Sequence, residues 1–570
     1  MAQMWGGYWT DAGWTVGTWA PLADQVALIL NGKPCPMTRL ADGFWSTTVD
    51  ARAGDTYLLR VDGKDIPDPA SRLQSGDVHA PSVVVKPSDD ARQAPWAGRP
   101  WAEAVIYELH LGTFTPEGTL PAATGKLAEL ADLGITAVEL MPIGQCQGER
   151  GWGYDGVLPY ALHPAYGSPD DLRRFVDHAH SLGLMVILDL VMNHFGPEGA
   201  YLHHAAPPFF DEGRHTPWGA AIDFSQHAVR EYWIQGAEYW LGEYRLDGLR
   251  LDAVHQIAGP GATDFMAEFA RRARAVDPAR PIHLIVEDER NEASLRENGY
   301  DASWNDDFHH AVHCQLTGES DSYYASFSHD PVGDLCLALA RGHIEEGQPR
   351  PGRDEPRGEP CGHLPPTGFV NSTQTHDQVG NRAMGERLLS LADPQGVQVA
   401  FVLLLTAPYI PMIFMGEERG ATTPFLFFAD FTGDLARAVR EGRAAEFAGI
   451  ASLGSRVPDP LAPDTFARSR LDWDDTATAR HWLDVTRRAL SFRRDHVVPL
   501  LTSGRSRPAQ VVRHGAASLA ATWQFQKGTL DLRLSLGQAE PGLPPLDEAA
   551  FSLGRIGTDP FALSITTRFT

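Results

Sequence analysis

Residues 184–194, LMVILDLVMNH, are the stretch that decides the fold. The first seven are apolar except for Asp189, which is typical of a parallel strand buried on both faces of a sheet. The helical pattern DDLRRFVDHAHSLG precedes this strand at 170–183, and polar residues follow it. A helix that leads into a buried strand with a polar end indicates one unit of an α/β fold.

Six more apolar runs alternate with helical patterns along the middle of the chain. They are AVIYEL (104–109), TAVELM (136–141), YRLDGLRLD (244–252), HLIVE (283–287), FVNST (369–373) and YIPMIFM (409–415). This alternation favours a closed (β/α)8 TIM barrel over an open sheet, although periodicity alone does not close a barrel. One compositionally biased segment, EEGQPRPGRDEPRGEPCGHLPP at 345–366, is predicted to be a polar loop.

The sequence patterns at both ends of the chain are typical of antiparallel β structure. Near the start, QVALIL, GFWSTTV and TYLLRVDG are separated by turn dipeptides, and near the end SLAATWQFQKGTLDLRLSLG contains a hairpin-like Lys-Gly turn. We therefore predict three domains. These are an N-terminal β-sandwich at 1–90 of the carbohydrate-binding-module or immunoglobulin-like type, a barrel at 91–488, and a C-terminal antiparallel β domain at 489–570.

The composition restricts the class of partner. The 48 basic and 73 acidic residues among 570 give a formal net charge of -25, which repels polyphosphates, so we expect no nucleic-acid partner. The five cysteines are scattered without a CxxC pair, which favours a reducing compartment. The start has no basic and apolar leader, and no run reaches the ~18 apolar residues of a membrane span. We predict a soluble cytoplasmic protein without a membrane partner.

Four polar clusters follow predicted strands. They are Asp189, Asn193 and His194 in LDLVMNHFGP; Arg250, Asp252 and His255 in GLRLDAVH; Glu287 in LIVEDERN; and His376 and Asp377 in STQTHDQVGNR. The carboxyl ends of barrel strands form one rim, so these side chains can meet although they are far apart in sequence.

Two of the carboxylates suit the cleavage of an acetal with retention of configuration. One ionised carboxylate attacks the anomeric carbon and one protonated carboxyl assists the leaving oxygen, with about 5 to 5.5 Å between them. Asp252 and Glu287 end adjacent predicted strands, so this separation is within reach. Arg250 shares a strand face with Asp252 and is expected to lower its pKa. Burial and the neighbouring Asp288 and Glu289 are expected to raise the pKa of Glu287.

Each residue also has a structural explanation when it is taken alone. An Arg-x-Asp pair is more often an ion pair of the core, and single histidines such as His194 and His376 are more often satisfied polar residues. Asp189 is expected to orient its neighbours beneath the rim, and tryptophans and tyrosines usually pack, although they also stack on sugar rings. Four clusters in order, each after an apolar strand, nevertheless favour an active site, in which Asp377 would hold sugar hydroxyls.

The segments DLVMNH, GLRLDAVH, IVED and THDQ resemble the four signature regions of the α-amylase superfamily of glycoside hydrolases, in their usual order. The resemblance implies that Asp252 is the nucleophile, Glu287 the general acid/base and Asp377 the stabiliser of the transition state. It further implies a set of residues that pair with the nucleophile or bind the glucose at the cleavage subsite, namely Tyr154, His194, Arg250 and His376. We expect no obligatory metal and no cofactor.

Longer segments resemble one subgroup of that superfamily, the maltooligosyltrehalose trehalohydrolases. They are PDPASRLQSGDVHAPS (67–82), RGWGYDGV (150–157), NHFGPEGAYL (193–202), THDQVGNRAMGER (375–387) and GEERGATTPFLFFADF (416–431), of which the first and last are the most discriminating. The subgroup hydrolyses the α-1,4 bond next to a terminal trehalose unit, and it works in sequence with a maltooligosyltrehalose synthase. By this resemblance the partner is an α-1,4-glucan oligosaccharide with a trehalose end. His255 and the loop at 416–428 are then candidate contacts on the leaving-group side.

Two other functions stay open. A glycogen branching or debranching enzyme of the same superfamily would carry the same three acids, but the PFLFF and PDPASR segments disfavour it. A non-catalytic α-glucan-binding protein would keep the barrel and lose the chemistry. The complete set of Asp252, Glu287 and Asp377 disfavours that alternative, because a pure binding protein has no need of both an acid and a nucleophile.

Overall fold

The computed structural model describes residues 4–86, 95–447 and 457–570, and its N-terminal part consists of two antiparallel sheets. Their strands are β1 Gly6–Thr10, β2 Gly13–Trp19, β3 Val26–Leu30, β4 Lys33–Pro36, β5 Thr38–Arg39, β6 Phe44–Val49, β7 Thr56–Val61, β8 Lys64–Ile66 and β9 Ser82–Val83. One sheet has the order β1-β2-β6-β5, and the other has the order β4-β3-β7-β8 with β9 paired to β7. Trp14 of one sheet packs on Tyr57 of the other with ring centroids 4.9 Å apart, inside a core that both sheets share. The predicted sandwich is confirmed.

The middle of the chain forms a closed barrel of eight parallel strands. The strands of this region are β10 Ile106–Leu109, β11 Ala137–Leu140, β12 Gly144–Gln145, β13 Leu158–Leu162, β14 Met185–Leu190, β15 Phe210–Thr216, β16 Gly219–Ile222, β17 Gly248–Leu251, β18 His283–Val286, β19 Ala302–Trp304, β20 Phe369–Ser372 and β21 Ile410–Phe414. The barrel order is β10-β11-β14-β17-β18-β19-β20-β21, whereas β12 with β13 and β15 with β16 form separate hairpins. The predicted (β/α)8 barrel is confirmed.

The strand that the sequence pattern did not reveal is β19. The seven predicted runs each contain one of the other barrel strands, but β19 has only three residues, Ala302–Trp304, and so has no recognisable periodicity. It becomes a strand because β18 and β20 lie on either side of it and supply its hydrogen-bond partners. The tertiary structure therefore overrides a weak local signal.

Seventeen α-helices are found within the described residues. They are α1 Leu111–Phe114, α2 Leu120–Thr124, α3 Leu127–Leu133, α4 Pro169–Ser181, α5 Leu202–Ala205, α6 His227–Glu243, α7 Ala262–Ala275, α8 Ser294–Glu297, α9 Asp306–Thr317, α10 Pro331–Arg341, α11 His376–Gly380, α12 Leu388–Leu391, α13 Pro394–Thr406, α14 Gly433–Glu446, α15 Pro463–Arg468, α16 Ala477–Phe492 and α17 Val498–Leu501. The helix predicted at 170–183 is α4, which begins with a capping box between Ser168 and Asp171. Its buried Leu172, Phe175 and Val176 share one face, as the helical period requires.

The discriminating segment at 67–82 lies between the sandwich and the barrel. The hydroxyl of Tyr232 in α6 donates to the carbonyl of Pro69 at 2.8 Å, and the guanidinium of Arg72 lies 4.6 Å from the ring centroid of Tyr239 in the same helix. This segment therefore attaches the N-terminal domain to the barrel wall.

The C-terminal part is a five-stranded antiparallel sheet, as predicted. Its strands are β22 Arg505–His514, β23 Ser518–Phe525, β24 Gly528–Leu536, β25 Phe551–Leu553 and β26 Phe561–Phe569, in the order β22-β23-β24-β26-β25. The division into 1–90, 91–488 and 489–570 stays a prediction. Its first boundary lies outside the described residues, and α16 runs across its second boundary. No helix among the described residues has the length and hydropathy needed to cross a membrane.

Candidate active site

The guanidinium of Arg250 is the centre of the polar clusters. The register of the barrel places Arg250 of β17 beside Asp189 of β14, and its Nη1 donates to both Asp189 oxygens at 2.8 and 2.7 Å. The same Nη1 donates to Asp252 Oδ1 at 3.0 Å, and Nη2 donates to Glu287 Oε2 at 2.7 Å. The guanidinium is fully buried and lies 3.9 Å from the ring centroid of Trp304. One cation therefore holds three carboxylates at the rim.

Asp252 and Glu287 each accept one further contact that sets their orientation. Asn193 Nδ2 donates to Asp252 Oδ2 at 2.8 Å, and the backbone N–H of Ala253 donates to Glu287 Oε2 at 2.9 Å. Ala253 has a left-handed backbone with φ of 41°, which is uncommon for a residue other than glycine. This turn directs the amide that follows Asp252 toward Glu287, so local backbone strain contributes to the geometry of the pair.

Burial raises the pKa of Glu287, as predicted, but the nearby like charge is not the expected one. The carboxylate that adds to the effect belongs to Asp252, and Arg250 opposes both influences. Asp288 is buried and accepts hydrogen bonds from the backbone N–H and side chain of Arg290, so it faces its own loop. The main causes of the raised pKa do not include Asp288 or Glu289: Asp288 is held within its own loop, and Glu289 lies 3.5 Å from His255 Nε2.

The pKa of Asp252 also differs from the expectation. Burial raises it above the ordinary aspartate value, and the Asp189 carboxylate adds to this increase. Arg250 lowers it, as predicted, but Arg250 is shared with Asp189 and Glu287, so it only offsets part of the burial effect. The pKa of Asp252 is raised overall because its carboxyl group is almost completely removed from water and because three acids share one cation.

Asp377 lies beside a charged histidine. His376 Nδ1 donates to Glu108 Oε1 at 2.5 Å, and His376 Nε2 lies 3.4 Å from Asp377 Oδ1. Burial alone would lower the pKa of His376, but the carboxylates of Asp377 and Glu108 outweigh it and raise the pKa to about 9. The imidazole is therefore positively charged at neutral pH, and the Asp377 side chain keeps 37% of its surface exposed at the rim.

Aromatic rings surround the Asp252 side of the site. Tyr154 donates its hydroxyl to Asp189 at 2.5 Å and stacks on His376 with ring centroids 5.1 Å apart. His194 contacts the Tyr154 carbonyl through Nε2 at 3.0 Å, and Trp218 at the tip of the β15–β16 hairpin stacks on His194 at 4.2 Å. Burial lowers the pKa of His194 to about 4, so this imidazole is neutral. These flat faces suit a sugar ring.

A cavity of about 330 Å³ opens on the Glu287 side of the site. Glu287, Asp377, His255, Asp306 and Arg357 are among its lining residues. Its volume lies near the lower end of the range for small-molecule sites, roughly 300 to 1,000 Å³. Of the residues that the structure describes, Asp252, Tyr154 and His194 do not line it, so it extends away from the Asp252 carboxylate.

The loop at 416–428 does not line this cavity, and its contact with the leaving-group side stays a prediction. Trp152 Nε1 donates to the carbonyl of Leu426 at 3.0 Å, and the ring of Phe425 stacks on Trp152 with centroids 5.3 Å apart. The loop therefore packs behind the aromatic residues of the rim. His255 does line the cavity, and its Nε2 lies 3.5 Å from Glu289 Oε2.

The structure thus brings the eight predicted site residues to one rim, and it adds four that the sequence pattern did not identify: Glu108, Trp218, Trp304 and Asp306. Glu108 lies one residue before the end of a predicted strand, which was an available signal, whereas Asp306 follows β19, which the sequence pattern did not reveal. Trp218 lies on a hairpin outside the barrel and gave no such signal.

Among the described residues no group of three or more His, Cys, Asp or Glu side chains could hold a metal ion, and the absence of a metal stays a prediction.

Comparison with known proteins agrees with this geometry. The family model described as the catalytic domain of alpha amylase matches residues 81–210. Over 503 residues the chain is 42% identical to a malto-oligosyltrehalose trehalohydrolase from Rhizobium sp. (strain M-11), and the alignment covers 84% of each chain. The chain belongs to the malto-oligosyltrehalose trehalohydrolase family. A family member from Mycobacterium tuberculosis (strain ATCC 25618 / H37Rv) is 40% identical over 527 residues, which cover 89% of this chain and 87% of that relative.

Solved structures extend the comparison to the fold. A protein from Salmonella typhimurium, described provisionally as an alpha amylase, is 46% identical with a TM-score of 0.95 and full coverage of both chains. A pullulanase from Anoxybacillus sp. LM18-11, complexed with maltotetraose, has a TM-score of 0.74 over 100% of this chain and 88% of that one. At 18% identity the second likeness supports the fold alone. The trehalohydrolase family is thus placed on the barrel of the α-amylase superfamily, and its members are glycoside hydrolases.

Proposed function

We propose that the chain is a retaining α-glycosidase that hydrolyses the α-1,4-glucosidic bond next to the terminal trehalose unit of maltooligosyltrehalose and releases trehalose. The observation that carries the proposal is the shared guanidinium of Arg250. It contacts Asp252 at 3.0 Å and Glu287 at 2.7 Å, so one cation holds both carboxyl groups, and Glu287 also lines the cavity. Membership of the trehalohydrolase family supports the choice of substrate.

The chemistry assigns a role to each acid. Asp252 attacks the anomeric carbon as the bond to the leaving oxygen breaks, and Glu287 transfers its proton to that oxygen, which departs as a hydroxyl of trehalose. Glu287 then accepts a proton from water, and that water displaces Asp252 from the glycosyl-enzyme. The raised pKa of Glu287 supports its role as the acid, because it favours the protonated form that can donate to the leaving oxygen.

The remaining site residues bind and orient the sugar at the cleavage position. Asp377 accepts hydroxyl hydrogen bonds while the ring distorts, beside the positively charged His376. Tyr154 and the neutral His194 offer flat faces on the Asp252 side. Arg250 orients the nucleophile, and His255 contributes to the leaving-group side through the cavity that it lines.

The decisive experiment compares the products from maltopentaose with and without a trehalose cap. The capped chain should release trehalose with a kcat/KM at least ~10-fold higher than that for cutting the uncapped chain, which corresponds to ~1.4 kcal/mol of transition-state selectivity. Equal efficiency on both would indicate a general amylase. Formation of α-1,6 branches from amylose would indicate a branching enzyme, and binding without turnover would indicate a glucan-binding protein.

The physiological setting is part of the same proposal. The enzyme would act after a maltooligosyltrehalose synthase, whose product carries the trehalose cap. A cytoplasmic location is supported by the five cysteines, which are all free thiols in the structure, as a reducing compartment allows.

A further inference from the structure

The leaving-group side of the site contains an acid that no step of the hydrolysis requires. Asp306 is the first residue of α9 and follows β19, which lies between the strand that leads to Glu287 and the strand that leads to Asp377. Its carboxyl group lines the same cavity as those two acids. The barrel topology therefore inserts a third carboxyl between the proposed acid and the proposed transition-state stabiliser.

The amide of Gln378 fixes the orientation of this carboxyl. The backbone N–H of Thr375 can only donate, and it donates to Gln378 Oε1 at 2.8 Å. The amide nitrogen of Gln378 must then point the other way, where it donates to Asp306 Oδ1 at 3.1 Å. Within the part of the chain that the structure describes, Oδ2 of Asp306 has no hydrogen-bond partner. One oxygen is therefore committed to the protein, and the other is available to a ligand.

The position of the cavity identifies which part of the substrate this oxygen meets. The acid must lie next to the leaving oxygen, and the cavity contacts Glu287 and Asp377 but not Asp252, Tyr154 or His194. A sugar ring in the cavity is therefore on the leaving-group side of the cleaved bond. Burial, with further contributions from the Glu287 and Asp377 carboxylates, raises the pKa of Asp306 to about 7. An acid with this pKa can accept a hydrogen bond from a hydroxyl group or donate one to it.

We propose that Asp306 is a specificity-determining residue that binds hydroxyl groups of the glucose ring carrying the leaving oxygen, with Gln378 holding its carboxyl in place. The ligand class is an α-linked glucose disaccharide in the leaving-group cavity. This inference rests on the proposed function for the identity of that disaccharide as trehalose. The location of the contact does not depend on the proposed function.

The test uses free trehalose as an inhibitor of the hydrolysis of 4-nitrophenyl α-maltopentaoside. The nitrophenol leaving group has no hydroxyls for Asp306 to bind, so Asp306→Ala should lower kcat/KM for this substrate less than it lowers kcat/KM for the trehalose-capped chain. The inhibition constant of trehalose should rise at least about 10-fold, and kcat/KM for the trehalose-capped chain should fall by a similar factor, as expected when a ligand loses a hydrogen bond to a charged acceptor. Asp306→Asn, which keeps one acceptor oxygen and the side-chain shape, should show a smaller loss.

The matched control is Asp264→Ala, because Asp264 is an exposed acid in the first turn of α7 and is remote from the cavity lining. It should leave trehalose inhibition unchanged. An unchanged inhibition constant in Asp306→Ala would overturn the inference. An equal loss of kcat/KM on the aryl and capped substrates would also overturn it, and so would a shift in the alkaline limb of the pH profile without weaker trehalose binding. Either result would mean that Asp306 acts through Glu287.

A failure of the proposed function gives a different result from a failure of this inference. If the wild-type enzyme cuts capped and uncapped chains equally and trehalose does not inhibit it, the substrate assignment fails. Maltose then replaces trehalose as the inhibitor, because it also places one glucose ring in the cavity. A rise of about 10-fold in the maltose inhibition constant of Asp306→Ala would still support the contact, and an unchanged constant would refute it.

Discussion

Arg250 Nη2 donates to Glu287 Oε2 at 2.7 Å, across 37 positions of sequence, while Nη1 of the same guanidinium holds Asp252 at 3.0 Å. The two proposed catalytic carboxyl groups therefore compete for one cation. Burial raises the pKa of both, the Asp189 carboxylate adds to the rise at Asp252, and the Asp252 carboxylate adds to the rise at Glu287. A pair in this situation is most stable when one member is ionised and the other protonated, which is the state that a retaining glycosidase requires.

The first prediction assigns the chemistry to these two acids. Glu287→Gln keeps the size and hydrogen bonding of the side chain but cannot supply a proton, and Asp252→Asn cannot attack. Each should lower kcat by several orders of magnitude with the fold intact, as measured by steady-state kinetics and circular dichroism. The control is Asp288→Asn, whose carboxylate faces its own loop, and it should retain substantial activity. Near wild-type turnover in Glu287→Gln or Asp252→Asn would remove that residue from the mechanism.

The second prediction concerns the stereochemistry of the product. If the carboxyl groups held by Arg250 stand about 5 to 5.5 Å apart, the reaction proceeds by two displacements and retains configuration. The new reducing end should then appear first as the α-anomer in NMR spectra recorded during early turnover, before mutarotation. An initial β-anomer would contradict the assignment of Asp252 as the nucleophile, because it requires a water between more widely separated carboxylates.

The third prediction is a pH dependence of stability that originates at His376. Its pKa is raised from 6.5 to about 9, so its charged form contributes stability that is fully present below pH 6.5 and is lost as the pH rises through 9. The contribution is at most roughly 3 kcal/mol. The difference in Tm between the wild-type protein and His376→Gln should be largest at pH 6 and should shrink by pH 9.5. The control is His363→Gln, which removes an exposed histidine. A Tm difference for His376→Gln that does not change with pH would argue against a charged His376.

The fourth prediction concerns the wall of the leaving-group cavity. Arg357 in the 345–366 loop donates to the carbonyl of Glu289 at 2.7 Å and to Asp307 at 3.0 Å, and it also pairs with Glu345. The side chains of Asp307 and Glu345 are fully buried, so Arg357→Met would leave buried carboxylates with less compensation, at a cost of about 3 kcal/mol.

This change should lower Tm and expose the 345–366 loop to limited proteolysis. Arg440→Met is the control, because Arg440 and its partner Asp459 are 50% and 42% exposed, so their ion pair should contribute less than about 1 kcal/mol. Equal losses in the two variants would mean that the loop does not depend on Arg357.

The sequence by itself determined the order and type of the main elements. Continuous apolar runs and helical periodicity identified seven of the eight barrel strands, and strand parity placed Arg250 and Asp252 on one face. The position of Glu287 and Asp377 directly after strands predicted that they share a rim. These features depend on neighbours within a few residues or on a general rule of the fold, so they can be predicted from one sequence.

Only the tertiary structure decided which groups meet. Closure of the barrel connects His376 to Glu108 across 268 positions, and it makes a strand of Ala302–Trp304, which has no period of its own. It moves the loop at 416–428 behind Trp152 and brings Asp306 into the cavity instead. The physical reason is that a pKa, an ion pair and a cavity depend on distances through space. Those distances are set by the register of neighbouring strands and by where each loop finds room to pack, and neither is encoded in the local pattern of residues.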